Sequence, residues 1–152
     1  MTGGAKRWGL SFNAGLYGGK EKVRMDDKKL YMAAKKAFEN AYAPYSGFKV
    51  GAALLTEGGR VITGVNVENA TYGATICAER TAFVKAVSEG ITSFSKIAVA
   101  SSGGGAWPCG ICRQFMYEFN PDLVVITGEN RDDLESHALH ELLLKGFRLE
   151  GR

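Results

Sequence analysis

The chain has 152 residues, 45% of them apolar and 23% charged, with a formal net charge of +3. These values suit one soluble domain with a hydrophobic core of its own. No apolar run approaches the ~20 residues that cross a bilayer, the basic residues are too scattered for a nucleic-acid-binding stripe, and three cysteines are an odd number for a disulfide scaffold. A reducing cytoplasm is the expected compartment, with neither membrane nor nucleic acid as partner.

Residues 1–24 stand apart from the rest. Gly3, Gly4, Gly9, Gly15, Gly18 and Gly19 break any period. Trp8, Leu10, Phe12, Leu16 and Tyr17 make the stretch too apolar for a typical disordered tail. Its basic residues come without the apolar segment or cleavage site of a signal peptide. It reads as a Gly-rich extension, either packed on a neighbour or left over from cloning, with the domain proper over 25–152.

From Asp26 the pattern turns helical. Leu30, Ala33, Ala34, Ala37, Phe38 and Ala41 make one apolar face, and Pro44 predicts an end by Tyr42 or Ala43. A turn, Pro44-Tyr45-Ser46-Gly47, leads to a hairpin of strands over 48–55 and 61–67. A helix follows from about Cys77 to Glu89, stopped by Gly90, then an apolar strand over 94–100. Pro108 suits the opening of a third helix, reaching to about Asn120. Residues 123–127 are a strand of the buried type. The segment 131–145 fits a helix, or a short strand over 134–139 with a final helical turn. This order predicts a mixed sheet with helices on both faces, a three-layer α/β/α sandwich.

All three cysteines fall in two short pieces, Cys77-Ala78-Glu79 and Pro108-Cys109-Gly110-Ile111-Cys112. Cys109 and Cys112 are i and i+3, so on a first helical turn they face the same way. Cys77 starts another helix, and two positive helix ends aimed at one place favour thiolates. Three protein ligands with an open fourth position make a catalytic rather than a structural zinc site. Glu79, two residues beyond the first ligand, then moves protons for a water held there. Arg80 and Arg113 directly follow site residues, and either guanidinium can donate to a thiolate and drain its charge. Alone, P-C-x-x-C equally suits a redox dithiol or half a closed zinc knuckle. The third cysteine, the glutamate and the absence of a fourth cysteine favour the open site. His137 or His140 as a fourth ligand would close it, but both read as surface histidines.

Asn66 and Glu68 lie two apart in an extended stretch, so both side chains point one way. An amide and a carboxylate together can grip a hydroxyl, though a strand-end turn explains the asparagine equally well. Phe48 lines a pocket or, more commonly for a strand phenylalanine, the core.

Four motifs together resemble the small homotetrameric cytidine deaminases: Ala43-Pro44-Tyr45-Ser46-Gly47-Phe48-Lys49-Val50-Gly51-Ala52-Ala53-Leu54, Asn66-Val67-Glu68-Asn69-Ala70, Cys77-Ala78-Glu79-Arg80-Thr81-Ala82 and Pro108-Cys109-Gly110-Ile111-Cys112-Arg113-Gln114. The resemblance covers about residues 26–147. It implies hydrolysis of cytidine and deoxycytidine to uridine and deoxyuridine plus ammonia, within pyrimidine salvage. It implies one Zn2+ per subunit on Cys77, Cys109 and Cys112, with Glu79 as proton shuttle. The Ala78 N–H would hold the base carbonyl, Phe48 would pack on the base, and Asn66 and Glu68 would bind the ribose 3′-hydroxyl. Ala70, Tyr72 and Phe147 would serve the sites of neighbouring subunits in a homotetramer. For 131–145 the resemblance implies a fifth strand and a short helix. Two positions depart from the family: Trp107 stands where a small residue is usual, and Leu144 replaces a proline.

The rival expectations are a deaminase for another aminopyrimidine nucleoside or nucleoside antibiotic, an editor of cytosine in a polynucleotide, a structural zinc module and a thiol oxidoreductase.

Overall fold

The computed structural model describes residues 25–149. The extension expected over 1–24 lies outside the described residues. Helix α1 (Asp27–Ala37) starts at Asp26, whose carboxylate accepts from the Lys29 N–H at 2.7 Å. It ends earlier than Pro44 predicts, in a 3-10 turn over Phe38–Asn40. Tyr42 is instead drawn into a bridge with Val67, accepting from the Glu68 N–H at 2.8 Å. Tertiary pairing outweighs local helical preference here.

Strands β1 (Val50–Thr56) and β2 (Val61–Val65) form the expected hairpin. The second stops two residues short of the prediction, because Val67 leaves the sheet to bridge Tyr42 and Ile76. Helix α2 (Ala78–Ser88), strand β3 (Phe94–Ser101) and helix α3 (Gly110–Tyr117) follow. The third helix begins two residues after Pro108, and Cys109 is its cap rather than part of its first turn. Strand β4 (Val124–Asn130) runs past Thr127, since β5 (Asp133–Ala138) pairs along it. A short helix, α4 (Leu139–Leu142), ends the order and settles 131–145 as strand then helix.

The strands make one mixed sheet, β2-β1-β3-β4-β5, with only β3 and β4 parallel neighbours. Successive residues of β1 serve opposite faces. Ala53 and Leu55 pack under α1 with Leu30, Tyr31 and Ala34. Ala52 and Leu54 pack with Phe83 of α2 and Met116 of α3. The Phe83 ring meets those of Phe94 at 4.7 Å and Phe115 at 6.1 Å, both edge-on, so aromatic edges tie α2 to β3 and α3. These are the three layers that the sequence predicts.

One glycine ties the packing to the site. A Cβ on Gly64 would lie 2.3 Å from the Ala82 nitrogen and 2.4 Å from the Ala78 carbonyl oxygen. Bare backbone at this point of β2 lets the first turns of α2 press onto the sheet. Gly64→Ala should therefore destabilise the fold by about 1–3 kcal/mol in urea unfolding and lower metal content. Gly73→Ala, where nothing lies within 4 Å of an added Cβ, should leave both near wild type.

Candidate active site

Strands β2 and β3 both run antiparallel to β1, so they point the same way. Their C-terminal ends, at Val65 and Ser101, and the start of β1 at Val50 meet at one edge of the sheet. The chain leaves β2 and β3 there and returns as the N-termini of α2 and α3. Open α/β sheets place their ligand sites at such an edge.

Cys77 caps α2 and Cys109 caps α3, both with extended backbone and neither with a side-chain hydrogen bond to the helix. The first-turn N–H groups thus stay available. The Cys77 and Cys109 sulfurs are 3.9 Å apart, and all three cysteine sulfurs lie within 4.8 Å of one another. Tetrahedral zinc with Zn–S bonds of ~2.3 Å needs sulfurs ~3.8 Å apart, so the donor set fits that ion. Among the described residues, the group able to hold a metal is these three cysteines. His137 packs against Trp107 at 5.3 Å, and His140 Nδ1 lies 3.1 Å from an Asp122 oxygen.

The charges match. The Cys77 thiol is pulled well below its ordinary range, chiefly because the Cys112 thiol donates to it, with Arg80 helping. The Cys112 pKa moves the opposite way for the same reason. Arg80 Nη2 donates to the Cys77 sulfur at 3.8 Å and to the Thr75 carbonyl at 3.4 Å, while its buried Nε has no protein partner. Of the two candidate guanidiniums, Arg80 is thus the one that reaches a sulfur, and Arg113 is held elsewhere. Its Nε donates to the Pro108 carbonyl and its Nη1 to that of Leu142, each at 2.7 Å. One position on from Cys112, it leaves the helix on another face and braces the loop rather than a sulfur.

Glu79 is 4% exposed. Burial pushes its carboxyl up to about 7, with Cys77 adding to the rise and its backbone N–H, Cys112 and Arg80 opposing it. A cation at the sulfurs would draw the value down again.

Cys77, Glu79 and Cys109 open onto a cavity of about 300 Å³. Ala78, between Cys77 and Glu79, also lines it, as do Phe48, Asn66 and Glu68. The Asn66 amide is oriented by two bonds: Oδ1 accepts from the Val50 N–H and Nδ2 donates to the Phe48 carbonyl, both at 2.8 Å. It keeps one hydrogen and one lone pair. Glu68 accepts from the Tyr45 N–H at 2.8 Å, the Ser46 N–H at 3.2 Å and the Ser46 hydroxyl. These donors, the hydroxyl first, lower its pKa and keep it an anion. Phe48 is 45% exposed, so it belongs to the cavity and not the core.

Ser46, Thr75, Val99 and Ala106 also line the cavity and escape the sequence reading. Only Ser46 carried a usable signal, its place in the Pro-Tyr-Ser-Gly turn before β1. Ala70, Tyr72 and Phe147 do not line it. Tyr72 is 82% and Phe147 64% exposed. Gln114 holds the Phe147 backbone, donating to its carbonyl at 2.8 Å, and leaves the ring outward.

A mixed sheet with two cysteine-capped helices, an open three-sulfur site and a buried glutamate beside it defines the class of zinc-dependent deaminases. The family model for the cytidine and deoxycytidylate deaminase zinc-binding region matches residues 24–128. A cytidine deaminase of Sporosarcina psychrophila is 48% identical over 128 residues, covering 83% of this chain and 94% of that one. A probable cytidine deaminase of Dictyostelium discoideum is 52% identical over 113 residues, covering 73% and 76%. The crystal structure of cytidine deaminase from Burkholderia pseudomallei superposes with a TM-score of 0.76 at 46% identity, covering 81% of this chain and 100% of that one. The chain belongs to the cytidine deaminase family, and zinc is its cofactor.

Cys109→Ser should leave two sulfurs and release the ion. Metal analysis should fall from one zinc per chain to near none, and full retention would remove Cys109 from the ligand set.

Proposed function

We propose that the protein hydrolyses free cytidine and deoxycytidine to uridine and deoxyuridine with release of ammonia. The observation that carries this reading is one cavity with two chemistries: sulfurs and Glu79 at one end, Asn66 and Glu68 at the other. The names of the relatives support the same substrate class.

Zinc, when bound, supplies the Lewis acidity that makes water a nucleophile near neutral pH. Glu79 takes a proton from the attacking water and gives it to ring N3 as the oxygen bonds to C4. It then passes the second proton to the amino nitrogen, the C4–N bond breaks, and ammonia leaves. Burial favours this shuttle because it raises the carboxyl's affinity for a proton, against the downward pull of a cation at the sulfurs. The free Ala78 N–H at the start of α2 holds the base carbonyl, and Phe48 packs on the ring. The spare Asn66 hydrogen and the anionic Glu68 bind the 3′-hydroxyl as donor and acceptor.

Tyr72 and Phe147, exposed on one chain, serve neighbouring sites together with Ala70 in a homotetramer. The setting is pyrimidine salvage in the cytoplasm. No helix among the described residues is long and apolar enough to cross a membrane.

Glu79→Ala should keep its zinc and lose at least about 100- to 10,000-fold in kcat; a zinc-loaded variant with wild-type turnover removes Glu79 from the chemistry. Replacing cytidine by 3′-deoxycytidine should cost about 10- to 100-fold in kcat/KM, the scale of hydrogen bonds to charged groups. That penalty should shrink in Glu68→Ala to what the Asn66 bond alone contributes, and an equal penalty in both enzymes counts against the assignment.

A further inference from the structure

The Trp107 indole lines the reacting end of the cavity and has no part in the chemistry set out above. It shares that cavity with Cys77, Glu79 and Cys109, and stands two residues before Cys109. Its segment is clamped on both sides. The Ala106 N–H donates to Thr127 Oγ1 at 2.9 Å, and the Pro108 carbonyl accepts from Arg113 at 2.7 Å. The indole itself packs edge-on against the His137 ring of β5, with centroids 5.3 Å apart and planes at 62°. It is half-buried, with part of its surface turned to the cavity. The backbone that carries the indole is thus held on both sides, and the His137 ring backs the indole.

The reaction proposed above decides which edge of a pyrimidine meets the indole. The base carbonyl and N3 lie along one edge, and both are held by the first turn of α2, through Ala78 and Glu79. The other neighbour of C4 in the ring is C5. In the pose proposed above it faces away from Ala78 and Glu79, toward Ala106 and Trp107 of the lining. Asn66 and Glu68 fix the sugar at the far end, so the ring cannot turn over to exchange its edges.

We propose that Trp107 is a specificity-determining residue: its indole covers the C5 edge of the substrate and restricts C5 to a substituent the size of hydrogen or fluorine. This rests on the nucleoside deaminase reading of the same cavity. With its flanking backbone held by Thr127 and Arg113 and its ring backed by His137, the indole resists displacement, so a methyl group at C5 displaces the base from the reacting position. The step affected is productive placement of C4, not proton transfer.

The test is kcat/KM for cytidine, 5-fluorocytidine, 5-methylcytidine and 5-iodocytidine on zinc-loaded protein, followed by ultraviolet absorbance. A pocket discriminates one methyl-sized group by roughly 10- to 200-fold. Wild type should therefore accept 5-fluorocytidine, prefer cytidine over 5-methylcytidine by about 10-fold or more, and reject 5-iodocytidine further. Trp107→Ala and Trp107→Leu should each narrow the cytidine to 5-methylcytidine ratio by about 10-fold, with zinc retained, and Trp107→Phe should fall between. A methyl group also slows attack electronically in any active site, so the change in ratio on shrinking Trp107 locates the effect.

Equal kcat/KM for cytidine and 5-methylcytidine in wild type overturns the proposal with no variant needed. So does an unchanged ratio in whichever variants fold with zinc. Failure of the zinc-loaded wild type on every nucleoside, cytidine included, would overturn the deaminase reading and this proposal with it. Turnover of cytidine without the selectivity change overturns this proposal alone.

Discussion

Two helix N-termini aimed at one sheet edge are the constraint on which the site depends. Each is capped by a cysteine, and the third sulfur comes from the first turn of α3. Thiolates 4 Å apart repel by about 4 kcal/mol at an effective dielectric constant of 20. Three of them within 4.8 Å therefore cannot all ionise without a cation. The opposed shifts of Cys77 and Cys112 express this: one sulfur holds the charge and the other keeps its proton. A divalent ion removes the conflict and releases the protons that remain. The helix ends and Arg80 ease the same burden from outside the cluster.

The sheet serves that geometry. The chain leaving β2 and β3 returns as α2 and α3, which pack together through Phe83 and Phe115. Their N-terminal ends and the start of β1 line the cavity. Asn66 lines it and is held by its side chain, which bonds the Val50 N–H of β1 and the Phe48 carbonyl just before that strand. Glu68 ties down the Tyr45-Ser46 turn, of which Ser46 lines the cavity. Gly64 allows α2 to come close enough for Cys77 and Glu79 to reach the others.

Local signals explain why much of this was legible in the sequence. Cysteine spacing, helix starts and the apolar period of α1 are all properties of a few neighbouring residues. The sandwich follows from the order of elements and the buried pattern of the central strands. What escaped depends on partners distant in the chain. The early end of α1 comes from the Tyr42 bridge to Val67, 25 positions away by number. Adjacency in sequence leaves Arg80 and Arg113 as equal candidates to donate to a sulfur; Arg80 does so, while carbonyls of Pro108 and Leu142 claim Arg113. Ser46 gains meaning only once Glu68 is seen above it. The 131–145 segment defeats periodicity because β5 is an edge strand with mostly exposed residues, so no face of it carries an apolar pattern.

X-ray absorption at the zinc edge of the purified protein tests the central claim most directly. The account predicts three sulfur scatterers at ~2.3 Å and one oxygen or nitrogen scatterer at ~2.0 Å, the latter lost or shifted when a nucleoside analogue fills the cavity. Four sulfurs, as two chains sharing an ion would give, or two sulfurs with two imidazoles, would contradict it.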